Sequence, residues 1–105
     1  IKKMGASGTT EIHVLDGASG YGRFLWNTAT ALRQTGTDNG WEFRMRDWNG
    51  DGILDAFAIK KNGAGGLTEV HVLNGADSFR TFLVHIATAL PSTGIDHAWE
   101  FEFSP

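Results

Sequence analysis

The chain has 105 residues, enough for one ordinary domain, and its 41% apolar and 20% charged content is that of a globular protein rather than a disordered one. Nine basic against twelve acidic residues leave a formal charge of −3, and no basic block or stripe occurs, which argues against a nucleic-acid partner. The lack of cysteine excludes a disulfide framework, a thiolate zinc site and a thiol nucleophile, and no apolar run approaches a membrane span, so membrane insertion is not expected.

The chain opens on IKKMGASGTTEIHVLDGA, and the same pattern returns at Ile59 as IKKNGAGGLTEVHVLNGA. The offset is 58 residues without a gap, and 25 of the 47 aligned positions are identical. The segment from about Trp48 to Ala58 occurs once. The chain is therefore two units, one of which lacks a piece.

Each unit reads as short strands. WEFRMR, from Trp41 to Arg46, alternates apolar Trp41, Phe43 and Met45 with charged Glu42, Arg44 and Arg46, a period of two. LDAFAIK, from Leu54 to Lys60, is apolar on both faces, as a strand buried on two sides should be. TEVHVLN, from Thr68 to Asn74, puts Val70 and Val72 on one face and Glu69, His71 and Leu73 on the other. RTFLVHIATAL, from Arg80 to Leu90, fits a strand with Phe82, Val84, Ile86 and Leu90 together, but it also matches a helical face. Its Thr, Val and Ile content and turn-rich flanks favour the strand. KNGAGG, NGADS and STGIDHA supply the turns.

Four strands in a 58-residue unit, with apolar residues on both faces, predict an all-β fold built as a β-propeller of four-stranded antiparallel blades. The expected division is a first blade over 1–40 lacking its innermost strand, a complete second blade over 41–98, and a closing strand over 99–105. That last segment begins WEFEF, a copy of the strand at Trp41, and has no continuation within its own chain. Donating it to a neighbouring subunit would hide two sheet edges. Two blades alone would expose apolar surface at both ends, so a ring completed by homo-oligomerisation is expected. Propellers usually hold about four to eight blades, so a trimer of six blades is preferred over a tetramer of eight.

DWNGDGILD, from Asp47 to Asp55, carries side-chain oxygens at Asp47, Asn49 and Asp51, then Gly52 for a sharp bend, then Asp55. Calcium takes six to eight oxygens at about 2.3–2.6 Å, and this spacing wraps a loop around it. The backbone carbonyl of Ile53 is the expected neutral ligand. An EF-hand would need Glu where Ala58 stands, and the loop lies between strand patterns, so the expectation is a strand–loop–strand Ca2+ hairpin, one per chain. A metal-free Asx turn is the competing reading.

This hairpin resembles those of FG-GAP blades, as in integrin α-subunit propellers. With TEVHVLDGAS, ATAL, WEF and DAFAIKK, the chain more specifically resembles the Psathyrella velutina lectin family over essentially its whole length. The resemblance implies a calcium-containing propeller that binds terminal N-acetylglucosamine, and also sialic acid, between adjacent blades. The absence of cysteine leaves the compartment open, with a secreted or cell-surface-facing location favoured.

Sugar pockets need an apolar platform and a few fixed polar groups. The polar and aromatic residues recurring in both units are the natural candidates: His13 and His71, Asp16 and Asn74, Gly17 and Gly75, Tyr21 and Phe79, Trp41 and Trp99. Each has a plainer competing role. The histidines could be hydrogen-bonded between blades, the tryptophans could be core or rim packing, and Asp16 and Asn74 could be turn formers. Glu11, Glu69, Asp38 and Asp96 are weaker candidates. His85 and His97, unmatched by histidine at Asn27 and Asn39, read as local packing or surface, and the repeated lysine pairs Lys2–Lys3 and Lys60–Lys61 read as solvated. No nucleophile–base arrangement or cofactor fingerprint appears, so an enzyme is not expected. The leading expectation is a multivalent lectin; the alternatives are a protein-binding adhesion propeller and an engineered fragment that self-assembles.

Overall fold

The computed structural model describes residues 1–102. It is all-β, with strands β1 (Thr9–Leu15), β2 (Phe24–Arg33), β3 (Trp41–Arg46), β4 (Asp55–Lys60), β5 (Leu67–Leu73) and β6 (Phe82–Pro91). β1 and β2 pair as one antiparallel sheet, and β3-β4-β5-β6 form a second as a simple meander. The Arg80–Leu90 segment offered both strand and helix; from Phe82 onward it is strand β6. Single 3-10 turns, Gly17–Ser19 and Gly75–Asp77, stand at the same place in the two units.

The first unit contributes β1 and β2. Among the described residues it adds an isolated bridge, Lys2 to Glu11, which corresponds to the Lys60–Glu69 pair of the second unit. The Trp48–Ala58 segment supplies the β3–β4 loop and the first part of β4 in the second unit. Trp99–Glu102 form no strand, and Phe103–Pro105, the rest of the expected closing strand, lie outside the described residues.

The two sheets pack face to face. β3 pairs Trp41 with Lys60 and Phe43 with Ala58, and β4 pairs Ala58 with His71 and Ala56 with Leu73. These residues therefore share one face. Against it lie Ile12, Leu32, Val14 and Trp26 of the small sheet, which complete a core with Ala56, Ala58, Leu73 and Phe79. Alanines in β4 let the sheets approach closely, and β4 is buried along nearly its whole length. A backbone bond crosses the seam, from the Ala31 amide to the Phe79 carbonyl at 2.9 Å. Phe79 is fully buried and meets Trp26 edge-on at 5.3 Å between ring centres.

The repeat extends to side-chain detail. The Thr30 hydroxyl donates to the Thr10 carbonyl, and that of Thr88 to the Thr68 carbonyl, each at 2.7 Å. Thr10 and Thr35, and again Thr68 and Thr93, sit hydroxyl to hydroxyl at 3.2 Å. Buried hydroxyls need partners, and these paired threonines satisfy one another where each hairpin ladder shifts register.

One lysine expected in solvent is instead wholly buried. Lys61 is 0% exposed; its Nζ donates to the Asp96 carbonyl at 2.7 Å and lies 3.3 Å from Glu42. Lys3 makes the equivalent bond to the Asp38 carbonyl at 3.0 Å. A second lysine just past the end of an apolar strand, after Lys60, looks like a strand end reaching solvent, but here a returning loop covers it. Lys61→Met keeps the stem volume and deletes the donor. It is expected to lower stability by about 1–3 kcal/mol, since the Asp96 carbonyl loses its partner while Glu42 can still reach water. Urea denaturation measures the change.

Candidate functional site

Polar groups converge in several places among the described residues, one of them a smaller cavity of about 230 Å³ that Asp38, Trp41, Lys60 and Asn62 help to line; two features stand out. The first is a cavity of about 290 Å³ at the seam between the sheets. Ala31, Leu32 and Arg33 form its wall on the small sheet; Trp41, Lys60, Glu69, His71, Phe82 and His85 form the other. Strand periodicity explains the second group. Lys60, Glu69 and Trp41 are cross-strand neighbours on one face, as are His71 and His85. Phe82 joins them because the ladder slips between Val72 and Leu73, which turns Phe82 away from Val84 and Ile86.

The side chains are fixed by one another. Trp41 stacks on Phe43 with ring planes 12° apart, lies 5.4 Å from the His71 ring, and has the Lys60 ammonium 5.8 Å from its own ring centre. His71 is 4% exposed, and its Nε2 is 3.0 Å from Glu69 Oε1. Burial holds the His71 imidazole below its ordinary pKa, outweighing the Glu69 hydrogen bond, so the ring is neutral and Nε2–H is the donor. Burial pushes the Glu69 carboxyl up, but the His71 bond, the Ala64 amide and the Lys60 charge outweigh it and hold it below the usual range.

The second feature is the loop between β3 and β4. Oxygens of Asp47, Asp51 and Asp55 converge to within 4.8 Å of one another. Asp47 accepts the Gly50 and Gly52 amides at 2.8 Å each, and Asp51 accepts the Ile53 amide at 2.9 Å. Asn49 Oδ1 faces the Asp51 amide at 3.4 Å. Gly50 and Gly52 both have positive φ, 77° and 82°, which L side chains adopt at a steric cost. Asp55 is 0% exposed; Oδ2 accepts the Trp48 amide at 2.9 Å and Oδ1 the Gly75 amide at 2.8 Å. The donor set of three hard carboxylates and an amide oxygen fits calcium, and each carboxylate oxygen retains a lone pair beside its amide bond.

The sequence candidates form three groups, with His13 and Trp99 standing outside them. Trp41 and His71 meet in the seam cavity. Asp16, Gly17 and Tyr21 gather at the first 3-10 turn: Asp16 caps it by accepting the Ala18 amide at 2.9 Å and pairs with Arg23, while the Tyr21 ring lies over Gly17. Asn74, Gly75 and Phe79 occupy the equivalent turn, with Asn74 accepting the Ala76 amide at 3.0 Å. Gly75 is buried, and a Cβ there would fall 1.8 Å from the Leu54 carbonyl oxygen. It and Phe79 are packing residues with no surface to offer. His13 lies on the open face of the small sheet, 3.0 Å from Glu11 and edge-on to Phe24. Trp99 is 46% exposed and apart from the others.

Sequence reasoning missed Lys60, Phe82, His85 and the β2 residues of the cavity. His85 carried a signal: it stands where the first unit has Asn27, directly across from the repeated histidine. The site and fold together define a two-unit all-β chain with a small cavity at its internal seam and an acidic loop at one end. Comparison with protein-family models, with curated proteins and with solved structures finds no match.

Proposed function

We propose that the chain is a carbohydrate-binding module of a β-propeller, taking a terminal N-acetylglucosamine in the seam cavity, with Ca2+ held in the Asp47–Asp55 loop. The seam cavity carries this reading. Its volume of about 290 Å³ is at the lower end of ligand sites and suits one monosaccharide rather than a chain. Trp41 and Phe82 offer apolar platforms, and Glu69, Lys60 and Arg33 surround them with a charged acceptor and charged donors for hydroxyl and amide groups. The resemblance to blades of the lectin family points to the same seam.

A ring of several copies follows from the two open faces. Leu15, Tyr21, Phe24 and Leu25 of the first unit are 45%, 68%, 52% and 59% exposed, and Ile86 of the second is 55% exposed. Large apolar side chains left exposed in this number favour association. A second copy can repeat the internal seam, with its Tyr21 taking the place Phe79 takes here. Single sugar sites are weak, and several on one ring raise avidity on a glycan surface.

Titration with N-acetylglucosamine, followed by NMR, is expected to shift the Trp41 indole and Phe82 signals. Trp41→Ala is expected to abolish those shifts while the core signals of Ile12 and Leu73 stay in place. An unresponsive Trp41 at saturating sugar, with a glycan array equally blank, would refute the lectin reading.

A further inference from the structure

The His71 ring has one nitrogen too few partners. With Nε2–H given to Glu69, Nδ1 carries the lone pair, and that atom is buried without a hydrogen bond among the described residues. An unmet acceptor in a wall of this kind costs free energy unless something else satisfies it. The neighbouring ring is His85, 4.1 Å away between ring centres. Ligand atoms of Glu69, His71 and His85 all lie within 4.8 Å of one another, beside the cavity.

We propose that His71 and His85 form a site for a borderline divalent cation such as Zn2+, with Glu69 orienting His71 through Nε2–H. Two imidazoles suit zinc, nickel or copper rather than calcium, so this site and the oxygen loop would select different ions. A carboxylate on the far nitrogen of a ligating histidine fixes its tautomer and raises its basicity, and Glu69 stands there already. His85 is exposed, which leaves its ring free of tight packing and gives the ion a route from solvent. Two protein ligands leave coordination positions open toward the cavity.

The repeat contains its own control. Glu11 and His13 reproduce the Glu69–His71 pair at the same 3.0 Å, but Asn27 replaces His85. His13 is also 30% exposed at its side chain, and neither of its nitrogens is a buried, unpartnered atom among the described residues. The first unit therefore lacks both the second imidazole and the unmet acceptor.

The test is zinc titration of calcium-saturated protein, by calorimetry and by 15N NMR of the histidine rings. One equivalent is expected to bind, moving the Nδ1 resonance of His71 while that of His13 stays still. His85→Asn, which gives the second unit the residue set of the first, should weaken binding more than tenfold without altering the melting temperature of the zinc-free protein. Glu69→Gln should weaken it about 10–100-fold. Zinc that binds His85→Asn as tightly as wild type, or that shifts His13 equally, would overturn the proposal, as would the absence of binding. These readouts need no sugar, so they stand or fall separately from the lectin reading.

Discussion

Truncating Phe79 to alanine is expected to lower the unfolding free energy by about 3–5 kcal/mol, the range for deleting a buried aromatic that leaves a cavity. Phe79 is fully buried, contacts Trp26, and joins the core cluster formed by Ile12, Leu32 and Leu73. It is the residue that the large sheet inserts into the small one. The loss would thus fall on the contact between sheets rather than on either ladder, and the small sheet should open first. Hydrogen exchange should show early loss of protection in β1 and β2, while β4 and β5 hold. The backbone adds a second element. Phe79 has φ 64°, in the left-handed region, which is disfavoured for L-residues by about 1–2 kcal/mol. The ring's burial offsets that strain.

Tyr21 occupies the same repeat position with the same φ of 64°, but it is 68% exposed. In dilute single chains Tyr21→Ala should change stability by no more than about 0.5 kcal/mol. At high concentration the two variants discriminate assembly. If copies join by repeating the internal seam, Tyr21→Ala should weaken association and become as damaging as Phe79→Ala; a concentration-independent effect would argue against such a ring. Denaturation at two protein concentrations, with sedimentation of both variants, supplies the measurement.

Asp55→Ala is the second large effect, expected at about 3–5 kcal/mol, because a buried hydrogen-bonded charge is removed and two amides lose their acceptor. Asp55 ties the loop to the Trp48 amide and the Gly75 turn to the loop. It therefore couples the β3–β4 connection to the β5–β6 connection. This damage should persist in chelator, because it does not depend on an ion. Asp51→Asn separates the two roles. Asp51 is exposed and accepts one local amide, so its replacement should leave the calcium-free protein nearly unchanged. Wild-type protein should gain about 2.7 kcal/mol in calcium at a hundred times its dissociation constant, and Asp51→Asn should lose most of that gain. Melting curves with and without calcium decide the matter. Equal curves for wild type in calcium and in chelator would return the loop to a metal-free turn.

Strand identity was legible because the physics is local. WEFRMR alternates at a period of two and forms β3 over the expected residues. DAFAIK is apolar on both sides and is buried on both sides. The Gly52 bend and the spaced carboxylates foretold oxygens converging on one point. The small sheet was less legible, since one bridge at Lys2 is all that the first unit retains of its third partner.

Burial followed no such local rule. Lys61 looks solvent-bound from its neighbours, yet a loop from Thr93 to Asp96 closes over it. Phe79 and Tyr21 stand in equivalent turns, and nothing in either turn distinguishes core from surface. Gly75 reads as a turn residue, but it is held by how closely Leu54 approaches it. The cavity also escaped prediction in part: Trp41 stands on β3 and His71 on β5, whereas Phe82 and His85 belong to β6, and a slipped ladder brings Phe82 to their face.

By itself the chain's order of residues determined the two-unit repeat, the β character and the acidic hairpin, because side-chain alternation, turn chemistry and ligand spacing act over a few residues. Only the packing of one sheet on the other decided which of two equivalent aromatics became core, which lysine was buried, and which histidines met. Those outcomes depend on contacts between residues distant in sequence, and two copies of one pattern acquire different surroundings when one faces the other unit of the chain and its twin faces outward.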